Sequence, residues 1–190
     1  MITRTEKQND ILDAALQIIS ERGFHDSPIS AIAKQAGVGA GTIYRYYETK
    51  DDLIRDLYLR EKVAVVDQML VGTNQELTVK ENFRRIWGNA LRIHTSDQPK
   101  FRFMDQFYNS PYSGTVSAEE RRELTARFDV LMNRAVGEKI LRDLPQPVVG
   151  AVMMGTVSYL AQILRSHALE LTDELSEQAF DAVWRAIAES

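Results

Sequence analysis

The sequence predicts an all-α protein of about nine helices. Apolar residues recur at intervals of three and four along most of the 190 residues, and proline and glycine mainly separate these periodic segments. No useful stretch alternates apolar and polar residues as a half-buried strand would. We expect a three-helix head over residues 1–48 and a helical body over residues 49–190.

The first three helices are predicted from local start and stop signals. Thr3 and Thr5 each precede a glutamate or glutamine by three residues, which indicates capping boxes, and Gly23 ends this helix. Ser27 as N-cap and Pro28 as the first helical residue predict the start of the second helix. A glycine-rich turn follows, and a third helix is predicted over residues 40–47.

The body begins with three further predicted helices. Thr49 is the expected N-cap of a long fourth helix that continues to Gly72. Thr78, with a glutamate three residues later, forms a capping box for the fifth helix, which ends before Pro99. The sixth helix is short and aromatic and ends at residues 110–111.

Three long helices complete the prediction. Ser117 caps a seventh helix whose apolar stripe runs from Leu124 to Ala135. Pro145 precedes an eighth helix with a wide apolar arc. The ninth helix starts at about Asp173.

The composition excludes several classes of protein. With no cysteine, the chain has no disulfides and no thiolate zinc sites. No apolar run approaches the roughly 20 residues that span a bilayer, so we expect no membrane segment and a cytoplasmic location. The net charge is −4, and residues 1–50 contain six basic and six acidic side chains. Nucleic-acid binding therefore has to be argued from a motif rather than from charge.

The turn that contains Gly37, Gly39 and Gly41 can be interpreted either as a phosphate-binding loop or as part of a helix–turn–helix. A phosphate-binding loop would follow a strand. It would also have either a glycine where Thr42 stands or a Gly-Lys-Ser/Thr sequence after the turn. None of these features is present. Two short helices joined by a three-residue turn instead match a helix–turn–helix.

The predicted third helix has an outer face suited to DNA. Its residues are Ala40, Thr42, Tyr44, Arg45 and Tyr46. Hydroxyl groups and a guanidinium can donate to phosphate oxygens, and Arg45 can also contact a guanine edge. An ordinary helical corner with a solvated face fits the same geometry, so the two interpretations remain open at this point.

The pattern Ile32-Ala33-x-x-Ala36-Gly37-Val38-x-x-Gly41-Thr42-Ile43-Tyr44-x-Tyr46-Tyr47-x-x-Lys50-x-x-Leu53 strongly resembles the N-terminal signature of TetR-type (tetracycline-repressor-like) transcriptional regulators. The resemblance covers roughly residues 8–55. It implies a DNA-binding head, an effector pocket in the body and a homodimer.

The resemblance also implies roles for individual residues. Ser30 begins the second helix, where the family often contacts DNA, and Ala40, Gly41 and Thr42 take base-facing or groove-facing positions. Tyr44, Tyr46 and Lys50 match phosphate contacts. The chain departs from the family pattern at Gly39, Ala40 and Tyr47, where a serine or threonine, a larger or basic residue and a phenylalanine are common.

The aromatic middle of the chain is the predicted effector pocket. Apolar side chains with a few polar groups are typical of small-molecule sites. An ordinary hydrophobic core is the alternative for each residue. The predicted lining is Trp87, Leu91, His94, Phe103, Met104, Phe107, Tyr108, Phe128, Met132 and Tyr159.

The last two helices are predicted to form a four-helix bundle with a second copy of the chain. Burial within one chain is the alternative. The predicted interface residues are Val152, Thr156, Ile163, Phe180, Trp184 and Ile187.

No catalytic residue, metal ligand or cofactor is expected. His25, His94 and His167 are far apart and lack a metal-binding spacing. We therefore expect a ligand-responsive DNA-binding regulator, a repressor released from a palindromic operator by a small apolar or amphipathic effector. The alternative is a helical ligand-binding or protein-interaction module that does not bind DNA.

Overall fold

The structure is a computed structural model that describes residues 4–189. Within that range the chain forms ten α-helices and two short 3₁₀ segments, and no strand. One isolated antiparallel bridge joins Leu141 and Ala188. The all-α prediction is confirmed.

The α-helices are α1 (Glu6–Arg22), α2 (Ile29–Gln35), α3 (Ala40–Tyr44), α4 (Lys50–Met69), α5 (Val79–Ser96), α6 (Gln98–Tyr108), α7 (Ala118–Thr125), α8 (Asp129–Gly137), α9 (Gln146–Arg165) and α10 (Asp173–Ile187). The 3₁₀ segments are Pro111–Thr115 and Ala126–Phe128. The predicted seventh helix is thus two helices. At the break, the Thr125 hydroxyl donates to the Arg122 carbonyl, a local bond that competes with the helical pattern.

The predicted caps of α1, α4, α5 and α7 are present, whereas that of α2 was wrong. Thr5 and Gln8 form a reciprocal capping box, while Thr3 lies outside the described residues. Pro28 is the N-cap of α2, and the Ser27 hydroxyl donates to the Gly23 carbonyl at 2.6 Å. Ser27 therefore closes the turn after α1 and does not cap α2.

A Schellman turn joins α2 to α3. Gly37 has φ +66°, its N–H donates to the Lys34 carbonyl, and the Val38 N–H donates to the Ala33 carbonyl. α3 is shorter than predicted and ends at Tyr44. The next residues form a turn that carries Tyr47 into the core.

The chain divides into two compact units. The first takes in residues up to 63 and residues 98–121. In it α6 packs along α1, and the Phe24 ring lies 6.0 Å from the Phe103 ring and 4.7 Å from that of Tyr112. Tyr58 of α4 stacks on Phe107 of α6 with 4.0 Å between ring centroids. Long-range aromatic contacts therefore place α6 in the same unit as α1–α3.

The second unit takes in residues 64–97 and 122–190. In it α5 packs against both α9 and α10. The ring centroids of Phe83 and Trp184 lie 5.6 Å apart, and those of Trp87 and Phe180 lie 6.1 Å apart. These rings form the core of the unit. The predicted boundary between residues 48 and 49 separates a DNA-binding domain from a ligand-binding domain. It is defined by function rather than by packing, so it stays a prediction.

Helix α9 is apolar yet poorly covered. Its length and mean hydropathy of 1.5 alone would suit a membrane span, contrary to the expectation from sequence, and only 28% of its most apolar window is buried. One stripe faces the core. It consists of Val149, Met153, Val157 and Ala161. The opposite side includes Tyr159, which is 67% exposed. Such an uncovered apolar face is typical of a surface that contacts either a membrane or another protein.

We predict opposite effects from alanine at two glycines of the α2–α3 segment. Gly37→Ala should lower the free energy of unfolding by about 1 kcal/mol, because an L-residue is strained at positive φ. Gly41→Ala should be neutral or raise it by up to about 1 kcal/mol, since Gly41 is helical and a Cβ there meets nothing within 4 Å. Urea unfolding measures both values, and an equal loss in the two variants would contradict the assigned turn.

Candidate nucleic-acid interface

The outer face of α3 and of the turn that follows it is exposed, as DNA contact requires. Tyr44 is 55% and Tyr46 is 37% exposed, and the Arg45 side chain is exposed. On the inner side Ile43 is fully buried and Tyr47 is 6% exposed. The helix is therefore held by its inner residues while its outer side chains remain available to a ligand.

The other predicted DNA contacts lie close to this face in the sequence. Ser30 and Gly41 are exposed, and Ala40 and Thr42 are half-buried. Gly39 is the N-cap of the Ala40–Tyr44 helix, and it has no side chain that could accept a capping hydrogen bond. The surface at the start of α3 is therefore bare, with hydroxyl, guanidinium and phenol groups towards its end.

Lys50 is the first residue of α4 and is half-buried. Its ammonium donates to the carbonyl of Phe24, which ties the start of α4 to the segment after α1. Burial lowers the pKa of Lys50, and nearby Asp51 and Asp26 oppose that shift. An ammonium has three N–H donors, so the bond to Phe24 leaves two for a phosphate oxygen.

Asp56 of α4 holds the remaining segments of the head. The Arg4 guanidinium donates to both of its carboxylate oxygens, at 3.0 Å for the Nε–Oδ2 pair, and the Tyr47 hydroxyl donates to Oδ2 at 2.9 Å. Burial raises the pKa of Tyr47, and the charge of Asp56 raises it further. No local signal in the sequence marks this cluster, because Arg4 and Asp56 are 52 residues apart.

Four of the predicted effector-pocket residues lie in the first unit, on α6. Phe103 and Phe107 are fully buried, and their ring centroids are 6.1 Å apart. Met104 is also buried, whereas Tyr108 is 49% exposed and its hydroxyl lies 3.2 Å from that of Tyr58. These residues are adjacent, but most of them form core.

The other six predicted pocket residues lie in the second unit. Trp87 and Leu91 are buried, and His94, Phe128 and Met132 are half-buried. The sixth, Tyr159, lies on the exposed side of α9.

The unit also has a cleft of about 320 Å³, flanked by arginines of α5 such as Arg84 and Arg92 and by acidic residues of α10. Of the predicted pocket residues, Trp87 alone lines it within the described chain.

The predicted dimer residues on α10 have little exposed surface. Phe180 is 1%, Ile187 0% and Trp184 9% exposed within one protomer, where the two aromatic rings pack against α5. They are therefore core residues of one protomer, and a contact with a partner stays a prediction. On α9, Thr156 is exposed and Val152 and Ile163 are half-buried.

Two family models match this chain. One, described as "Bacterial regulatory proteins, tetR family", covers residues 11–57, and one described as "Tetracyclin repressor-like, C-terminal domain" covers residues 78–188. The first match includes α2, α3 and the start of α4. The second covers more than half of the chain.

Individual relatives agree with these matches. The chain is 38% identical over 97 residues to the fatty acid metabolism regulator protein of Bacillus subtilis, an alignment that spans 51% of this chain and half the length of that relative. It is 21% identical over 184 residues to an uncharacterized HTH-type transcriptional regulator of Haemophilus influenzae, with 97% of each chain covered. A crystal structure of a TetR family transcription regulator from Marinobacter aquaeolei VT8 has a TM-score of 0.86 and 26% identity over 97% of this chain and 96% of that one.

We predict that the Tyr47 hydroxyl contributes measurably to stability. Tyr47→Phe should lower the free energy of unfolding by about 1 kcal/mol, because a buried hydrogen bond to a carboxylate is lost. Tyr44→Phe is the matched control and should change it by less than about 0.5 kcal/mol, since that phenol is exposed. Equal effects in urea unfolding would show that the Asp56 contact contributes nothing specific.

Proposed function

The chain belongs to the TetR family of bacterial regulatory proteins, and from this premise we propose that it is a homodimeric repressor whose residues 1–48 bind a palindromic operator. The family consists of helix–turn–helix transcriptional regulators. In this proposal the exposed face of α3 contacts DNA, and a small effector releases the protein from its operator. The protein is proposed to be cytoplasmic.

The single observation that carries this proposal is the division of α3 and the turn after it into a buried and an exposed side. Ile43 and Tyr47 fix the helix from within, while Tyr44, Arg45 and Tyr46 remain exposed. In the proposal the two exposed tyrosines and Lys50 bind phosphates and set position. Arg45 and Thr42 contact base edges, with Ala40, Gly41 and Ser30 close to the groove.

The proposed effector acts through the contact between α6 and α1. These helices pack together in the first unit, with Phe24 between Phe103 and Tyr112. A ligand that displaces α6 would move the helix on which the head is built. It changes DNA affinity only if it binds the two states unequally, and a hundredfold preference corresponds to about 2.7 kcal/mol.

The name of the B. subtilis relative concerns fatty acid metabolism, which supports an effector with an apolar chain.

The proposed dimer forms through the exposed side of α9. Val148 is 41% and Tyr159 67% exposed on a helix whose apolar window is 28% buried. A second copy packed along this side would bury it, and operator binding requires the two recognition helices to lie about 34–36 Å apart on successive major grooves.

We predict salt-dependent DNA binding that weakens at Lys50. Lys50→Gln removes one phosphate contact from each protomer, so the slope of log affinity against log salt should fall by about two for the bound dimer. Lys139→Gln removes an exposed charge from the second unit and should leave the slope unchanged. Fluorescence anisotropy with duplex DNA measures both.

If the wild-type protein shows no salt-dependent binding to duplex DNA, the proposal fails. The alternative, a ligand-binding or interaction module that does not bind DNA, would then hold.

We predict that Tyr159→Arg produces monomers. An unpaired guanidinium group from each protomer would be buried in the proposed interface, which destabilises the dimer. Val71→Arg, at an equally exposed residue after α4, should leave the dimer intact. Light scattering measures the mass against that of the 21.6 kDa chain. A dimeric Tyr159→Arg variant would place the interface elsewhere.

A further inference from the structure

Lys62 of α4 is a largely buried lysine without an anionic partner. Its ammonium lies 5.7 Å from the centroid of the Tyr108 ring. Burial lowers the pKa of Lys62, and the nearby Tyr58 hydroxyl opposes the shift only in part. Among the described residues no carboxylate forms an ion pair with it. A lysine in this position holds its charge at a cost that a bound anion would offset.

The Tyr58 and Tyr108 side chains lie near this ammonium, and one of their two hydroxyl protons is left without an acceptor. The hydroxyls of Tyr58 and Tyr108 are 3.2 Å apart and share one hydrogen bond. Each hydroxyl has one proton, so one O–H donor remains after that bond. Burial raises the pKa of both phenols, which keeps them protonated at neutral pH. The cluster therefore has O–H and N–H donors in excess of acceptors.

The nearest acid on the helix does not supply the missing charge. Glu61 is buried, but its carboxylate pairs with Arg60 at 2.6 Å and with Lys100 at 3.4 Å. The other charge that affects both phenols is also cationic, the guanidinium of Arg121. Neither of these neighbours therefore offsets the charge of Lys62.

We propose that Lys62, Tyr58 and Tyr108 bind the carboxylate of an amphipathic ligand. One ammonium matches one negative charge, and a carboxylate can accept from the ammonium and from a phenol together. Its apolar chain would enter by displacing part of the α6 packing, because Phe107, which stacks on Tyr58, is fully buried. The inference rests on the proposed function, because this ligand is the effector that acts on α4 and α6. Tyr108 is half exposed and provides the route of entry.

Decanoate and 1-decanol test the proposal, because they share a chain and differ in the charge of the head group. Isothermal titration calorimetry on the full-length protein should show that wild type binds decanoate about tenfold or more tightly than decanol, as expected of a charge-assisted hydrogen bond. Lys62→Met should remove that preference and leave decanol affinity within about twofold. Lys62→Arg should restore it.

Two further measurements keep the result interpretable. Lys139→Met removes an exposed lysine of the second unit and should retain the preference for decanoate. Thermal unfolding without ligand should give Lys62→Met a Tm equal to or above that of wild type, since an unpaired buried charge is removed. A structural role for Lys62 would instead lower both Tm and decanol affinity.

The proposal is overturned if wild type binds both probes equally, if it binds neither, or if Lys62→Met keeps the preference. DNA binding is measured separately, by anisotropy with duplex DNA and no probe present. Loss of DNA binding alone would contradict the proposed function and leave the carboxylate site standing. Decanoate binding without release of DNA would contradict the assignment of this ligand as effector.

Discussion

The carboxylate of Asp56 is the point on which the arrangement of the head depends. Arg4, which precedes α1, and Tyr47, which follows α3, both donate to it, and Asp56 itself belongs to α4. Two segments, one of them 52 residues from Asp56 in sequence, are thereby fixed to one helix. The exposed side of α3 can have a defined direction only because its inner side is held in this way. The hydroxyl of Tyr47, which a phenylalanine would lack, supplies the second of these bonds.

The same unit contains α6, although 48 residues separate Lys50 from Gln98 at the starts of α4 and α6. Phe24, Phe103 and Tyr112 join the end of α1 to this later segment, and Tyr58 and Phe107 join it to α4. An event on α6 is thus only one layer of side chains from the helices that hold α3. Protein interiors are close-packed, so side chains have little free volume to absorb a change. A bound ligand therefore shifts whole helices. This short path favours an effector site on α4 and α6.

The sequence predicted structure correctly where the signal is local. The Thr5 and Thr78 capping boxes and the glycine turn at Gly37 depend on residues within five positions of each other, and all three are present. Prediction failed where the partner is distant. Apolar spacing shows that Trp184 is covered but cannot show whether α5 or a second copy covers it. The roles of Lys62 and Asp56 could not be predicted for the same reason, since the side chains around them come from segments about 50 residues away.

The near-neutral head is compatible with DNA binding because its charges are unevenly placed. Residues 29–47, which contain α2 and α3, include Lys34 and Arg45 and no acidic residue. The acids that balance them lie in α1 and the loops, where Asp13 for example pairs with Arg60 of α4. Residues 29–47 therefore carry a charge of +2, although the net charge of residues 1–50 is zero, and a phosphate within a Debye length of about 8–10 Å of Lys34 or Arg45 is attracted to it. The number of cations is small, so position must come from hydroxyl and phenol donors as well as from charge.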